Sequence, residues 1–231
     1  MDAMERFEKL QDKVGFELAI ALMAHRLPES FFETLTIQDW INVLEIIPKE
    51  SEQKKIVICM MRKVFKLHHW IELLKSPNIC YEIKEFAENG FLSVLPQSEI
   101  SLQGLVGIWK ELMGIIHVNV LSAVITEKII NTAKDFDDWL YISDNIPKEI
   151  DSSFRKTINE NLMATAKTFH NWWLLWSKAK KEKASFPCNS KLLETAETFE
   201  QWYLVWKESS TLNKEIAFEK MQEILEQEKQ G

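Results

Sequence analysis

Residues 165–176 read TAKTFHNWWLLW, and thirty positions later residues 195–206 read TAETFEQWYLVW; a third copy, TAKDFDDWLYIS, occupies 132–143. Each copy passes from a small polar segment into Thr or Asp followed by Phe-x-x-Trp. Thr168, Thr198 and Asp135 are of the residue types that cap the amino end of a helix, because their side-chain oxygens accept backbone N–H groups that have no intrahelical partner. Gln201, three residues after Thr198, completes a capping-box pattern. Beyond the cap, Phe169, Trp172, Trp173 and Trp176 fall at offsets 0, 3, 4 and 7, as do Phe199, Trp202, Tyr203 and Trp206. That spacing lays four large rings on one helical face, read as core packing between repeats with Trp173 and Tyr203 at its edge; the alternative is an aromatic platform for a peptide, a sugar or an unstacked base.

Weaker copies extend the pattern in the amino-terminal direction as Ile37/Trp40, Leu67/Trp70 and Val106/Trp109. The tryptophans at 40, 70, 109, 139, 172 and 202 are separated by 30, 39, 30, 33 and 30 residues. A period of that size marks a tandem helical repeat. A second periodic segment precedes each Trp helix and ends in Ala133, Ala166 or Ala196, a small residue suited to close helix approach. Phe154, Ile158, Leu162 and Met163 form one apolar stripe in such a segment, and Val118, Leu121, Val124, Ile125 and Ile129 form another, so each repeat reads as two antiparallel helices. Turns are placed at Pro48, Pro77, Pro147 and Pro187, since a residue before proline is pushed out of the helical region. Phe7 and Leu10 begin a degenerate first repeat. Leu212 to Lys229 read as a terminal helix with a polar outer face.

The expected fold is therefore all-α: an α-solenoid of about seven hairpins, each of about 30 residues, spanning 1–231 as a single helical-repeat domain. Residues 78–114 break the rhythm. They contain Gly90, Gly104, Gly107 and Gly114, with Pro96 and the run Gln97-Ser98-Glu99, and read as a kink in the array or a boundary between two halves.

In architecture the paired helices, with an aromatic-rich first helix and a small residue in the second, resemble tetratricopeptide-like and half-a-tetratricopeptide arrays. The Trp, Leu-Gly and Tyr pattern within one tetratricopeptide helix is absent here, so no ligand residue carries over. The resemblance implies a stacked superhelix that binds other proteins along a groove.

Composition narrows the function classes. A net charge of -7, from 28 Lys and Arg against 35 Asp and Glu, weakens any reading in which the whole surface attracts nucleic acid or anionic lipid. Cys59, Cys80 and Cys188 fit no zinc or redox spacing and read as core thiols. Charges at Asp2, Glu5, Arg6, Glu8 and Lys9 interrupt any amino-terminal leader pattern, and no run approaches a membrane span, so a cytoplasmic location without membrane insertion is expected.

Candidate chemistry is sparse. His68 and His69 are adjacent and point about 100° apart on a helix, so they do not chelate one ion together; with His170 they read as solvated imidazoles. Asp135, Asp137 and Asp138 start like a calcium loop, but Trp139 and Leu140 stand where further oxygens belong, which favours helix capping. Ser153 and Lys156 have a Ser-x-x-Lys spacing without its companion motifs. Basic strips at Lys178, Lys180, Lys181 and Lys183, and at Arg62, Lys63 and Lys66, are explained by helix carboxyl ends.

No catalytic residue, cofactor or metal is expected. The sequence points to a non-enzymatic protein–protein interaction scaffold with a protein or peptide partner. The alternative is a helical-repeat protein binding nucleic acid through its Lys/Arg strips. A catalytic pocket near Tyr81, Glu85 and Lys110 is a third possibility. Exposed candidates for partner contact are His170, Asn171, Trp173, Lys178, Lys181, Glu200, Gln201 and Tyr203, with Lys148 and Glu149 on a proline turn.

Overall fold

A computed structural model describes residues 3–48, 51–77, 79–113, 119–147, 152–182, 188–209 and 211–230. Every regular element among them is helical. In chain order they are α1 (Ala3–Val14), α2 (Phe16–Met23), α3 (Glu29–Phe32), α4 (Ile37–Ile46), α5 (Glu52–Val64), α6 (Leu67–Lys75), α7 (Tyr81–Val94), a 3-10 turn (Leu95–Gln97), α8 (Leu102–Met113), α9 (Asn119–Thr132), α10 (Phe136–Asn145), α11 (Ser152–Thr165), α12 (Phe169–Glu182), α13 (Cys188–Thr195), α14 (Phe199–Glu208) and α15 (Thr211–Gln230). They divide into two compact units, Met1–Thr132 and Ala133–Gly231. Lys148, Glu149, Lys183 and Pro187 lie outside the described residues.

Helix boundaries follow from local chemistry. Ile47, Ser76 and Ile146, each before a proline, adopt extended backbone and end α4, α6 and α10. At the other ends one device recurs. Thr36 accepts the Asp39 N–H while the Asp39 carboxylate accepts the Thr36 N–H at 2.8 Å. Asp135 accepts the Asp138 N–H at 3.0 Å, and Asp138 in turn accepts the Lys134 N–H at 2.9 Å. In α12 the Asn171 amide oxygen accepts the N–H groups of Lys167 (3.3 Å) and Thr168 (3.2 Å); in α14 Gln201 does the same for Glu197 (2.7 Å) and Thr198 (3.2 Å). In these four helices the residue immediately before the tryptophan thus closes the helix start.

Neighbouring helices pack in pairs: α1 with α2, α6 with α7, α8 with α9, α10 with α11, α12 with α13 and α14 with α15. The phase differs from the sequence expectation. α6, α8, α10, α12 and α14 each pair with the helix that follows, so α15 completes the last pair, whereas α4 packs chiefly on α2. In the first unit α4 also packs on α6, α8 on α6, and α9 on α7; in the second, α13 packs on α15. Ala166 and Ala196 are buried, but they sit just past the ends of α11 and α13 rather than within a helix face. The preceding Thr132, Thr165 and Thr195 hydroxyls each donate to the carbonyl four residues back, at 2.7, 2.7 and 2.6 Å, and finish the last turn.

All six periodic tryptophans are core, none more than 6% exposed. Offsets 4 and 7 are buried in α4 as Ile41 and Leu44, and offset 7 is buried in α6 as Leu74, but neither offset is buried in α12 or α14. The companions buried in all six helices lie at offset 6: Val43, Leu73, Leu112, Ile142, Leu175 and Val205, every one essentially inaccessible. Offset 4 follows the tryptophan directly and is turned about 100° around the helix; in α12 and α14 that turn takes Trp173 and Tyr203 out of the buried arc. In the first unit the core rings form a relay, Phe7–Phe31–Phe32–Trp40–Phe65–Trp70–Phe86, with centroids 4.8 to 5.6 Å apart.

Two further expectations change. Gly90 lies buried inside α7, and a Cβ there would stand 2.5 Å from the Trp70 ring; this glycine makes room for an indole. Lys128 of α9 donates to the carbonyls of Leu95, Pro96 (3.1 Å) and Ser98 (2.9 Å), satisfying the carboxyl end of α7 and its 3-10 turn. The outer face of α15 is not wholly polar, since Phe218 and Leu225 are 50% and 44% exposed.

Candidate interaction site

The core stripe leaves a second row of rings on α12 and α14. Trp173 and Trp176 are half-buried and stacked, centroids 5.1 Å apart at 22°, and Phe169 extends the stack to Trp173 at 6.0 Å. On α14 Tyr203 and Trp206 are 45% and 38% exposed and stack at 5.9 Å. Each row carries a lysine over its outer indole: Lys180 stands 4.9 Å from the Trp176 ring centre, and Lys214 of α15 stands 5.8 Å from that of Trp206. The ring quadrupole attracts these ammonium groups.

Lys180 also joins α12 to α14, its ammonium lying 2.9 Å from the Glu208 carboxylate. That hydrogen bond and charge, helped by Lys207 and Lys214, hold Glu208 below the ordinary carboxylate pKa. Between the helices runs an open groove of about 400 Å³ lined by Trp173, Trp176, Ser177, Lys180, Lys181 and Glu208.

The sequence-predicted residues separate into three groups. Trp173 and Lys181 line the groove, while Tyr203 stacks on Trp206 in the other row and does not line it. Asn171 and Gln201 are engaged as caps, so their side chains hold helix starts. His170 and Glu200 are exposed, as expected from their positions. Lys178 departs from the expected exposure. Its side chain is 12% exposed and paired with Asp144 of α10, tying α12 to that helix.

Trp176, Trp206 and Lys180 enter the sequence reading only as ring-stripe and basic-strip residues and not as partner-contact candidates, and Glu208 is missed. The available signal was offset 6: Leu175 and Val205 already supply the third core residue, which leaves the rings at offset 7 surplus to the core.

Elsewhere the candidate groups serve structure. His69 is not simply solvated: its Nδ1 accepts the Lys66 N–H at 3.0 Å at the start of α6. Burial, then the neighbouring His68 and Lys66 against an opposing Glu72, lowers its pKa, which suits a neutral acceptor ring. Lys63 pairs with Glu29 at 3.2 Å, and Arg62 lies over the Phe86 ring, so the second basic strip is partly engaged. Tyr81, Glu85 and Lys110 are all exposed. Cys59 and Cys80 are exposed thiols and not core residues; Cys188 is buried, and burial pushes its pKa up to about 11. Among the described residues no helix is long and apolar enough to cross a membrane.

Comparison of the chain with protein-family models, curated proteins and solved structures gave no match.

Proposed function

We propose that this protein is a non-enzymatic interaction scaffold, in which hairpins stacked in solenoid fashion within each unit present side chains to other proteins. The observation that carries this reading is the division of labour along α12 and α14. Phe169, Trp172 and Leu175 on α12, and Trp202 and Val205 on α14, supply the core, while Trp173, Trp176, Tyr203 and Trp206 spend large apolar rings on partly exposed positions. Tryptophan and tyrosine at a surface are the side chains that most often dominate protein recognition, because they bury much area at little entropic cost.

Repeat packing supports the same reading. A hairpin of two short helices buries too little apolar surface to fold alone and depends on its neighbours, so the frame is rigid while its outward positions vary freely. The polar side chains at helix starts are taken up by capping, and several lysines of the basic strips already face carboxylates.

The test is affinity capture from the native cell's lysate on the tagged protein, with and without nuclease, read by mass spectrometry. Partners that survive nuclease support the scaffold. Partners that disappear with nuclease would replace it by nucleic-acid binding, and capture of nothing would sink both.

A further inference from the structure

Resting on the protein-binding reading, we infer that the α12–α14 groove receives an acidic segment of a partner protein, its carboxylates on Lys180 and Lys181 and a bulky apolar side chain against the edges of Trp173 and Trp176. Three observations converge on this occupant.

The first is charge. Lys180 and Lys181 line the groove with Glu208 as its one lining carboxylate, and Lys207 and Lys214 act on that same carboxylate from α14 and α15. In sequence Glu182 follows Lys181 at the end of α12 and Glu215 follows Lys214 on α15, which leaves lysines in the majority around the groove. This cluster of lysines is opposite in sign to a chain whose net charge is -7. A local field of that kind selects acidic ligands and steers their encounter.

The second is that Glu208 already performs the proposed contact. Its carboxylate sits 2.9 Å from the Lys180 ammonium while the same ammonium remains 4.9 Å from the Trp176 ring centre. One lysine therefore holds an indole and a carboxylate together, which is the geometry an incoming Asp or Glu would reproduce on Lys181.

The third concerns the ring faces. Trp176 is stacked on Trp173 and covered by Lys180; Trp206 is stacked on Tyr203 and approached by Lys214. A nucleobase binds such platforms by its flat face and would have to displace these neighbours. An aliphatic or phenyl side chain needs the ring edges and a recess, and about 400 Å³ holds one or two such groups.

The probe is a short fluorescein-labelled peptide alternating Glu with Leu and Phe, compared by anisotropy with its Gln-for-Glu counterpart and with oligothymidylate of equal length. The acidic peptide should bind the full chain, the Gln counterpart about tenfold more weakly, and Lys180→Glu with Lys181→Glu should weaken the acidic peptide by about tenfold or more. Lys181→Glu alone should retain part of that loss with an unchanged melting curve, since Lys181 is exposed; Lys55→Glu on the other unit should bind as the parent does.

Equal binding of the Gln peptide, or no loss in the charge-reversed variants, would overturn the inference, as would preferential capture of oligothymidylate. Self-association detected by light scattering and abolished by Lys181→Glu would assign the groove to a second copy instead. In lysate capture, partners retained by the charge-reversed protein would remove the groove while leaving the scaffold reading intact. Capture of no nuclease-resistant partner by the unaltered protein would remove the scaffold reading itself.

Discussion

Gly90→Ala and Gly107→Ala should shift stability in opposite directions. Both glycines lie inside helices of the first unit, α7 and α8, where alanine is the better helix former by about 1 kcal/mol. At Gly107 an added Cβ meets nothing within 4 Å, so the propensity gain is unopposed and the variant should be more stable by up to about 1 kcal/mol. At Gly90 the Cβ would lie 2.5, 2.5 and 2.6 Å from three Trp70 ring carbons. Ordinary carbon contacts are about 3.5 to 4.0 Å, so the indole has to retreat by about 1 Å. It has little room, since Phe65 and Phe86 stand 4.8 and 5.3 Å from it and its own surface is 1% exposed. Overpacking of a filled core costs about 1 to 3 kcal/mol. Taking the upper end and subtracting the propensity gain leaves a net loss of about 2 kcal/mol for Gly90→Ala. Urea unfolding followed by helical ellipticity reads both variants against the parent. A Gly90→Ala midpoint at or above the parent's would refute the close approach of α7 to Trp70, and a drop in Gly107→Ala equal to that in Gly90→Ala would refute the steric explanation.

Four further outcomes test the description. Trp172→Ala should cost about 3 to 5 kcal/mol in urea unfolding, whereas Trp206→Ala, losing a partly exposed stacking partner, should cost about 1 kcal/mol. Asn171→Ala removes an acceptor shared by two backbone N–H groups and should lose about 0.5 to 2 kcal/mol; His170→Ala beside it should stay within about 0.5 kcal/mol. Ellman's reagent should label Cys59 and Cys80 in the folded protein and reach Cys188 only on unfolding, because a buried thiol with a pKa pushed up to about 11 offers almost no thiolate. His69 has a folded pKa below its unfolded value, so its contribution is fully present above about pH 6.5 and is lost as pH falls through the lowered folded value. His69→Gln, which keeps an acceptor as Gln201 does on α14, should flatten that part of the stability profile; an unchanged profile would refute the capping role.

The period was legible in the sequence because a tryptophan inside a helical hairpin has few places to go, and a buried indole every thirty residues or so leaves a visible mark. The helix starts at Thr36, Asp135, Thr168 and Thr198 were legible for a similar reason: unpaired N–H groups demand an acceptor of a small set of types. Side-chain identity did not reveal which rings are surplus to the core. Phe169, Trp172, Trp173 and Trp176 are chemically alike, and an offset pattern of 0, 3, 4, 7 fits a buried face as well as 0, 3, 6 does. Burial separates them, because the partner helix covers one arc of α12 and Leu175 fills its far edge. Gly90 misled for the converse reason. Glycine breaks helices by default, but here the missing side chain is what lets a helix approach a ring, and that need is set by a residue twenty positions away in the chain. Pairing phase was equally hidden, since a hairpin read from either end has the same periodicity.

If the proposed interaction role holds, the distribution of surplus rings places it on α12 and α14 rather than along every repeat. In α4 the offset-4 and offset-7 positions are Ile41 and Leu44, both buried, so those side chains belong to the core. In α10 they are Leu140 and Ser143, and no ring stands at either. α12 and α14 combine buried residues at offsets 3 and 6 with aromatic residues at both outer positions, and they have lysines over the outer indoles from Lys180 and Lys214. Were the rings present to strengthen the fold, they would be expected at the inaccessible offsets, where each ring buries most area. They stand instead where burial is incomplete and where a second molecule could complete it. In α4, α10, α12 and α14 the capping residue before the tryptophan fixes the helix start and the tryptophan fixes the rotation; on the proposed reading, the positions beyond would carry recognition on α12 and α14.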